Sequence, residues 1–384
     1  MTMRAAVQKI LISYHVIPAY RAAVFREMAN RLAGMRVMFV AGVTSPAPDL
    51  AVLDPVRLSR APDICGVRLR NHWWRQWLWQ SGLPRLCLGG GWDAGVFLAA
   101  PQYLSTWLGA CLISFLGGRV IFWTHGIYGC DSRWRRVVKQ AFYSVADKIL
   151  VYGHYEAGLL REQGVSRGRL AVVYNSLDYA AQKAVRTQLE SQPSLPPKAV
   201  VIAFVGRLTF RKRLDLLLQA VKVVIDHGVD CRVRLVGSGP ERRALERLAR
   251  ELGLFDAVTF HGETRDEAVI GPIIFGADLC VVPGDAGLTV MHALAYGTPV
   301  ITHSRRATQM PEVEAIVPGC TGDFFLAGDY WSLAKTILAW IGAPRDREDT
   351  RRHCVEIIER TYNPLNQADV ILRSVFDEMT YCVV

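Results

Sequence analysis

Nine cysteines are scattered over 384 residues without a single Cys-x-x-Cys spacing. That pattern excludes zinc ribbons and disulfide scaffolds. Cys111, Cys231 and Cys280 sit inside apolar runs, where a thiol behaves as a small hydrophobe, so the usage reads as a reducing, cytoplasmic setting without a metal site. No internal repeat or low-complexity tract interrupts the chain, and 51% hydrophobic against 21% charged residues excludes disordered and collagen-like classes. The opening MTMRAAVQKILISYHVIPAY is broken by His15 and Pro18 after a short apolar run, so a signal peptide is not expected.

Long uncharged stretches are equally scarce. The one of note, residues 94–118, is long enough for a membrane span. Pro101, Gln102 and several Gly and Ser residues, with Asp93 and Arg119 at its ends, favour instead a loop, a buried helix from Gln102 to Leu116 and a strand over Val120–Trp123. Acidic residues are sparse in the first half: residues 1–180 carry 21 Lys+Arg against 10 Asp+Glu, a net +11, whereas residues 181–384 carry 24 against 25. Eight of the ten tryptophans lie between Trp73 and Trp134, four of them at Trp73, Trp74, Trp77 and Trp79. A basic, Trp-bearing surface implies an anionic partner, which charge alone leaves as a membrane surface, a nucleic acid or an acidic substrate.

Short β-rich runs alternate with helical patterns. Strands are expected at Ile10–Ser13, Val37–Val40, Val120–Trp123, Ile149–Val151, Ala171–Val173, Val201–Val205, Val233–Val236, Val258–Phe260, Leu279–Val282 and Val300–Ile301. Helices are expected over Arg21–Leu32 and Arg213–Asp226, the latter from Leu214, Leu217, Leu218, Val221 and Ile225 at helical spacing. Such alternation predicts an α/β fold with parallel sheets covered by helices. Polar residues between Ala180 and Lys198, ending in Pro196 and Pro197, read as a linker, so the expected division is 1–180, a linker 181–198, a second domain 199–345, and carboxyl-terminal helices 346–384 that pack back on the first domain.

Three strand-to-loop-to-helix elements carry the chemistry. In VIAFVGRLTFRKRLDLLLQAV, Gly206 permits a tight turn at the carboxyl end of a strand, and Arg207 and Lys212 lie on the loop entering the next helix, an arrangement suited to a diphosphate. VRLVGSGPERRALERL repeats the plan with Gly237, Gly239 and Pro240. LCVVPGDAGLTVMHALAYGTPVITH places Asp285, Gly287, Leu288 and Thr289 at the start of a helix, with His292 one turn in. Taken singly, each also reads as an ordinary solvated turn.

In this order and spacing the three elements resemble the donor domain of retaining GT-B glycosyltransferases of family 4. The likeness extends to VTFHG, with His261 and Gly262 beside the nucleotide base, and to PEVEAIVPGCTGDFF; in the first half it covers HVIPAYRAAVFREMANRL, IFWTHGIYG and the segment ending at Asn175. The resemblance implies two Rossmann-like domains facing across a cleft and a nucleotide-sugar donor. It assigns Arg207 and Lys212 to the departing diphosphate, His125 to a hydroxyl of the donor sugar, and Gly206, Gly237, Gly239, His261, Gly262, Asp285, Gly287, Leu288, Thr289 and His292 to donor binding. It implies front-face transfer in which a phosphate oxygen takes the acceptor's proton, with no metal and no further cofactor.

One departure stands out. The family's pair of glutamates in the third element falls on Gly284 and His292. An imidazole can still bind ribose hydroxyls, and Asp285 is the nearby carboxylate.

The expected function is transfer of a hexose or deoxyhexose to a lipid-linked or polysaccharide acceptor in cell-surface glycan biosynthesis, such as lipopolysaccharide or capsule, by a protein peripheral to the cytoplasmic face of the membrane. Tyr20, Arg21, Trp73, Trp74, Arg75, Trp77, Arg133, Arg135 and Arg136 are assigned to the acceptor or membrane side. The competing readings are a catalytically silent subunit of the same fold and a sugar-nucleotide epimerase. Nucleic-acid binding is not expected, because no recognition motif accompanies the charge.

Overall fold

The computed structural model describes residues 8–45, 50–59, 61–126, 132–192 and 199–376. The chain divides into two compact units, residues 1–174 with 364–384, and residues 175–363.

The first unit runs β1 (Lys9–Pro18), α1 (Ala22–Arg31), β2 (Arg36–Gly42), β3 (Val52–Leu53), β4 (Ile64–Trp74), β5 (Trp77–Ser81), α2 (Leu83–Gly89), β6 (Ala94–Leu98), α3 (Leu104–Phe115), β7 (Arg119–Trp123), α4 (Arg133–Ser144), β8 (Lys148–Val151), α5 (His154–Glu162) and β9 (Leu170–Val172). Its sheet has the order β5-β4-β2-β1-β6-β7-β8-β9, with β3 pairing β1. All pairs along this order are parallel except β4 with β5. Ile10, Ile12 and Tyr14 of β1 enter one core and Leu11 the other, the period of two that a sheet buried on both faces requires.

The second unit runs α6 (Tyr179–Glu190), β10 (Val200–Val205), α7 (Leu214–Asp226), β11 (Cys231–Val236), α8 (Arg242–Glu251), β12 (Val258–Gly262), α9 (Glu267–Phe275), β13 (Leu279–Val282), α10 (Leu288–Ala295), β14 (Val300–His303), β15 (Gly322–Phe325), α11 (Tyr330–Gly342) and α12 (Arg347–Arg360). Its six strands are all parallel in the order β12-β11-β10-β13-β14-β15. The strand order reverses between β10 and β13, the switch point where ligands of doubly wound folds bind. A last helix, α13 (Pro364–Phe376), returns to the first unit and lays Ala368, Ile371, Leu372 and Val375 into the core shared with β1 and α1.

Several expectations change. The segment read as a linker holds α6, part of the second unit, while residues 193–198 lie outside the described residues. Of the two carboxyl-terminal helices, α12 packs on α10 and only α13 on the first unit; residues 377–384, the end of the segment expected to hold them, lie outside the described residues. Residues 94–98, read as loop, form β6, because a parallel sheet buried on both faces accepts a continuous apolar strand. Helix α3, read as buried, leaves Leu104, Leu108 and Phe115 exposed. No helix among the described residues is long and apolar enough to cross a membrane.

Candidate functional site

In the second unit parallel pairing brings the loops after β10, β11, β12 and β13 to one edge of the sheet. Hydrogen bonds lace them together. Gly206 N donates to Val236 O at 3.0 Å, Leu208 N to Ser238 O at 2.9 Å and Gly237 N to Gly262 O at 2.7 Å. At Gly237 φ is 139°, and a Cβ would stand 1.9 Å from the Gly206 carbonyl oxygen, so this approach of two loops requires glycine. Gly284 N donates to Lys212 O at 3.0 Å, Asp285 N to Arg211 O at 3.1 Å, and the Lys212 ammonium donates back to Asp285 O. Gly206, Gly237, Gly239, Gly262, Asp285, Gly287 and Lys212 therefore share one rigid rim.

Helix α10 opens on that rim. Thr289 Oγ1 donates to Val205 O at 2.8 Å, tethering its first turn to β10. The Lys212 Nζ lies 3.9 Å from where a Gly287 Cβ would stand, so a cation sits beside the helix amino end and the two positive fields add. Burial holds the Lys212 pKa down, against Asp285 and Glu312, with Arg211 also lowering it. Such an ammonium gains from an arriving anion. Arg207 is exposed on the same loop, and His261 is exposed at the end of β12, its pKa lowered by desolvation and by Arg234.

The departure from the glutamate pair has a geometric cause at one position. A Cβ at Gly284 would stand 1.9 Å from the Arg211 carbonyl oxygen, so the loops meet too closely for any side chain there. The Asp285 carboxylate is engaged within the rim, accepting from Arg211 Nε at 2.7 Å. His292 places Nε2 3.0 Å from Glu267 Oε2, the oxygen that also accepts from the Tyr296 hydroxyl at 2.7 Å. Burial pushes the Glu267 carboxyl up, and the His292 ring with the Tyr296 hydroxyl outweighs it, leaving the group below the usual carboxylate range. A carboxylate thus stands one helix away from the missing one, on α9.

The sequence assigns no role to Glu267 and Gln309, and Arg211 stands there only as one cation of a basic turn. Gln309 is buried, accepts from Ala286 N at 3.1 Å and donates to Thr302 Oγ1 at 2.8 Å, fastening the glycine-rich loop. All three act through contacts between separate elements, for which a single sequence carries no local signal.

The first unit brings another set together. A cavity of about 250 Å³ is lined by His15, Tyr20, Arg21, Tyr103, His125, Tyr152 and their neighbours. His125 follows β7, its ring centroid 4.6 Å from that of Tyr152. Burial, then the Arg21 and Lys139 charges, push its pKa down to about 4; burial and Arg21 do the same to His15. Arg21 is only 3% exposed, so the assignment of this residue to a membrane-facing surface is corrected: it lines the cavity. The Trp-rich segment folds as the β4–β5 hairpin, turned by Arg75 at φ 52°, with Trp74 opposite Trp77 and His72 opposite Trp79. Trp73 points inward beside His15 and Tyr103, whereas Trp74, Trp77 and Trp79 are exposed. Arg133, Arg135 and Arg136 lie exposed on α4 with Trp134.

Comparison with known proteins bears on both units. Residues 22–181 match the family described as Glycosyltransferase Family 4, and residues 199–342 match Glycosyl transferases group 1. A D-inositol 3-phosphate glycosyltransferase 2 of Catenulispora acidiphila is 30% identical over 264 residues, covering 63% of this chain and 60% of that protein. A GDP-mannose-dependent alpha-(1-6)-phosphatidylinositol dimannoside mannosyltransferase of Mycobacterium tuberculosis is 30% identical over 130 residues, 33% of this chain and 32% of that one. The chain spans 60% or less of the length of these curated relatives. Among solved structures, Anabaena Alr3699/HepE in complex with UDP superposes with a TM-score of 0.70 at 15% identity, covering 96% of this chain and 99% of that one. The lipopolysaccharide outer core galactosyltransferase WaaB superposes with the same score, identity and coverage.

Proposed function

The chain belongs to glycosyltransferase family 4 and has the GT-B fold, and from that premise we propose that it is a retaining enzyme moving a sugar from a nucleotide-sugar to a lipid-linked or polysaccharide acceptor in cell-surface glycan biosynthesis. The observation that carries the reading is the laced rim of the second unit, where Lys212 stands beside the amino end of α10 and Arg207 shares its loop. In the proposed reaction the bond from the anomeric carbon to the diphosphate breaks, its electron pair leaving with the diphosphate. The acceptor oxygen bonds to the same face of the sugar, and its proton passes to a phosphate oxygen. Arg207 and Lys212 neutralise the charge that grows on the leaving group, a role for which this reading needs no metal or further cofactor. His292, braced by Glu267, is assigned to the ribose and His125 to the donor sugar.

The names of the relatives, an inositol phosphate glycosyltransferase and a phosphatidylinositol mannoside mannosyltransferase, support an acidic or lipid-borne acceptor. The exposed Trp74, Trp134 and Phe115, together with the basic α4 that carries Trp134, support action at the cytoplasmic surface of a membrane. A second reading, a catalytically silent subunit, is favoured by Gly284, where no glutamate can stand, and by the engagement of Asp285 with Arg211.

The test is a thermal-shift panel of nucleoside diphosphates followed by transfer assays. A nucleoside diphosphate should stabilise the protein, and Arg207→Ala and Lys212→Ala should each cut turnover by about 100-fold or more. Wild-type turnover in either variant removes the diphosphate assignment; binding without any product in the unaltered protein selects the silent subunit.

A further inference from the structure

We propose that the cavity of the first unit binds a phosphate-bearing group of the acceptor, with the Arg21 guanidinium as its counter-charge. The inference rests on the reading of this unit as the acceptor side.

Arg21 ends the short turn after β1 and is buried beneath the cavity. Its Cζ lies 4.9 Å from the Trp123 ring centroid and 5.0 Å from that of Tyr152, and Nη2 donates to the Tyr152 hydroxyl at 2.7 Å. Nη1 is buried without a hydrogen-bond partner. The groups that act on its charge are the hydroxyls of Tyr14, Tyr152 and Tyr20, and no carboxylate among the described residues joins them. Arginine is almost never buried to this degree unless paired. Four aromatic rings and one hydroxyl surround the guanidinium, and none of them is an anion that would neutralise its charge in the ligand-free fold.

Two more polar atoms on residues lining the cavity, and one on Trp73 behind His15, are in the same condition. His15 Nδ1, His125 Nδ1 and Trp73 Nε1 are buried without partners. The ring of His15 lies 6.1 Å from that of Trp73 and 5.4 Å from that of Tyr103, which lines the cavity. Native proteins leave few such atoms unsatisfied, and three of them, on Arg21, His15 and His125, belong to residues that line one cavity, which points to a ligand that completes them. With pKa values near 4, both histidines are neutral at pH 7, so each ring still has one N–H to give while adding no charge. One fixed cation and two neutral imidazoles suit a phosphate, whose several oxygens can accept from all of them; a carboxylate offers two. Lys139, which donates to Gly126 O at 3.2 Å at the cavity wall, adds a second cation. A cavity of about 250 Å³ is several times the roughly 30 Å³ that a water occupies, leaving room for the ester-linked part of the ligand.

The experiment is a thermal melt with tryptophan fluorescence at constant ionic strength, titrating inorganic phosphate, glycerol 3-phosphate and, separately, phosphatidic acid vesicles. Phosphate esters should raise the melting temperature and perturb tryptophan emission where chloride does not. Response to the soluble esters assigns the site to free phosphorylated acceptors, and response to vesicles alone assigns it to a lipid headgroup; both support the inference where they depend on Arg21. Arg21→Met should weaken the response at least tenfold and raise the ligand-free melting temperature, because it removes an uncompensated buried charge. A guanidinium serving only to brace its aromatic neighbours predicts the opposite shift. Arg21→Lys should retain a weakened response, and His15→Phe should weaken it as well, so a misfolded Arg21→Met leaves the test decisive. No anion-specific response, or one unchanged by Arg21→Met, Arg21→Lys and His15→Phe, overturns the proposal. Nucleoside diphosphate binding measured on the same samples reads the second unit, so its loss with the phosphate response intact counts against the donor reading alone.

Discussion

His15 and His125 line the same cavity as the Arg21 guanidinium, and burial with that charge holds both imidazoles near pKa 4 against about 6.5 in an unfolded chain. Between those values the unfolded state holds more protons than the folded one. Stability is therefore full above pH 6.5 and falls as pH drops toward 4, on the order of 2–3 kcal/mol for each ring. Denaturant unfolding at pH 7.5, 5.5 and 4.5 should show this loss, and replacing both histidines by Gln should flatten the part due to them. A double variant whose acid sensitivity matches the unaltered protein refutes the assignment. At this scale the sequence made the local placement plain: Gly206, Lys212 and Gly287 lie on loops after strands, as their spacing implies. It hid whatever depends on two distant segments. The burial of Arg21 inside an aromatic box, the Arg211–Asp285 pair and the bracing of His292 by Glu267 all come from tertiary neighbours.

Among the elements, the β4–β5 hairpin was the least visible. Its pattern of Trp73, Trp74, Trp77 and Trp79 has no apolar–polar alternation, because both faces carry tryptophan; only the structure separates inward Trp73 from outward Trp74, Trp77 and Trp79. Helix α6 was misread for the converse reason. Its buried residues are Gln182 and Arg186, the latter donating to Ala295 O at 2.7 Å, so a helix docked by polar groups looks like a linker to any hydrophobic period. The basic helix α4 and the outer hairpin face carry the membrane reading. Each basic residue near an anionic surface contributes about 1 kcal/mol. Converting Arg133, Arg135 and Arg136 to Ala should weaken binding to anionic liposomes on the order of 100-fold in a sedimentation assay, while nucleoside diphosphate binding by the second unit stays unchanged. Undiminished liposome binding in this variant removes the membrane from the proposal.

For the whole molecule, the decisive fact is that the first unit is discontinuous in sequence. The chain leaves it after Tyr174, whose carbonyl accepts from Gln367 Nε2 at 2.9 Å, and re-enters at Pro364. Two α/β domains were legible from the alternation of strands and helices; the return of α13 alone, without α12, was not, since both helices are amphipathic. Removing residues 364–384 uncovers the core that Ile371, Leu372 and Val375 fill. At about 1.5–3 kcal/mol for each large apolar side chain, the loss is comparable with the 5–15 kcal/mol stability of a typical domain. Calorimetry of the truncated protein should show the transition of the first unit lowered or absent, with nucleoside diphosphate still raising the transition of the second. A single unchanged melt contradicts this division.

The same topology sets an order of events on the ribosome. The second unit is one continuous stretch and can close once residue 363 has emerged. Strand β1 is made long before the helix that seals its core. At about 5–20 residues per second, the apolar face beneath α13 waits roughly 10–40 s after Tyr174 is added. During that interval the half-built first unit exposes the surface most prone to aggregate, which makes it, and not the second unit, the expected client of nascent-chain chaperones.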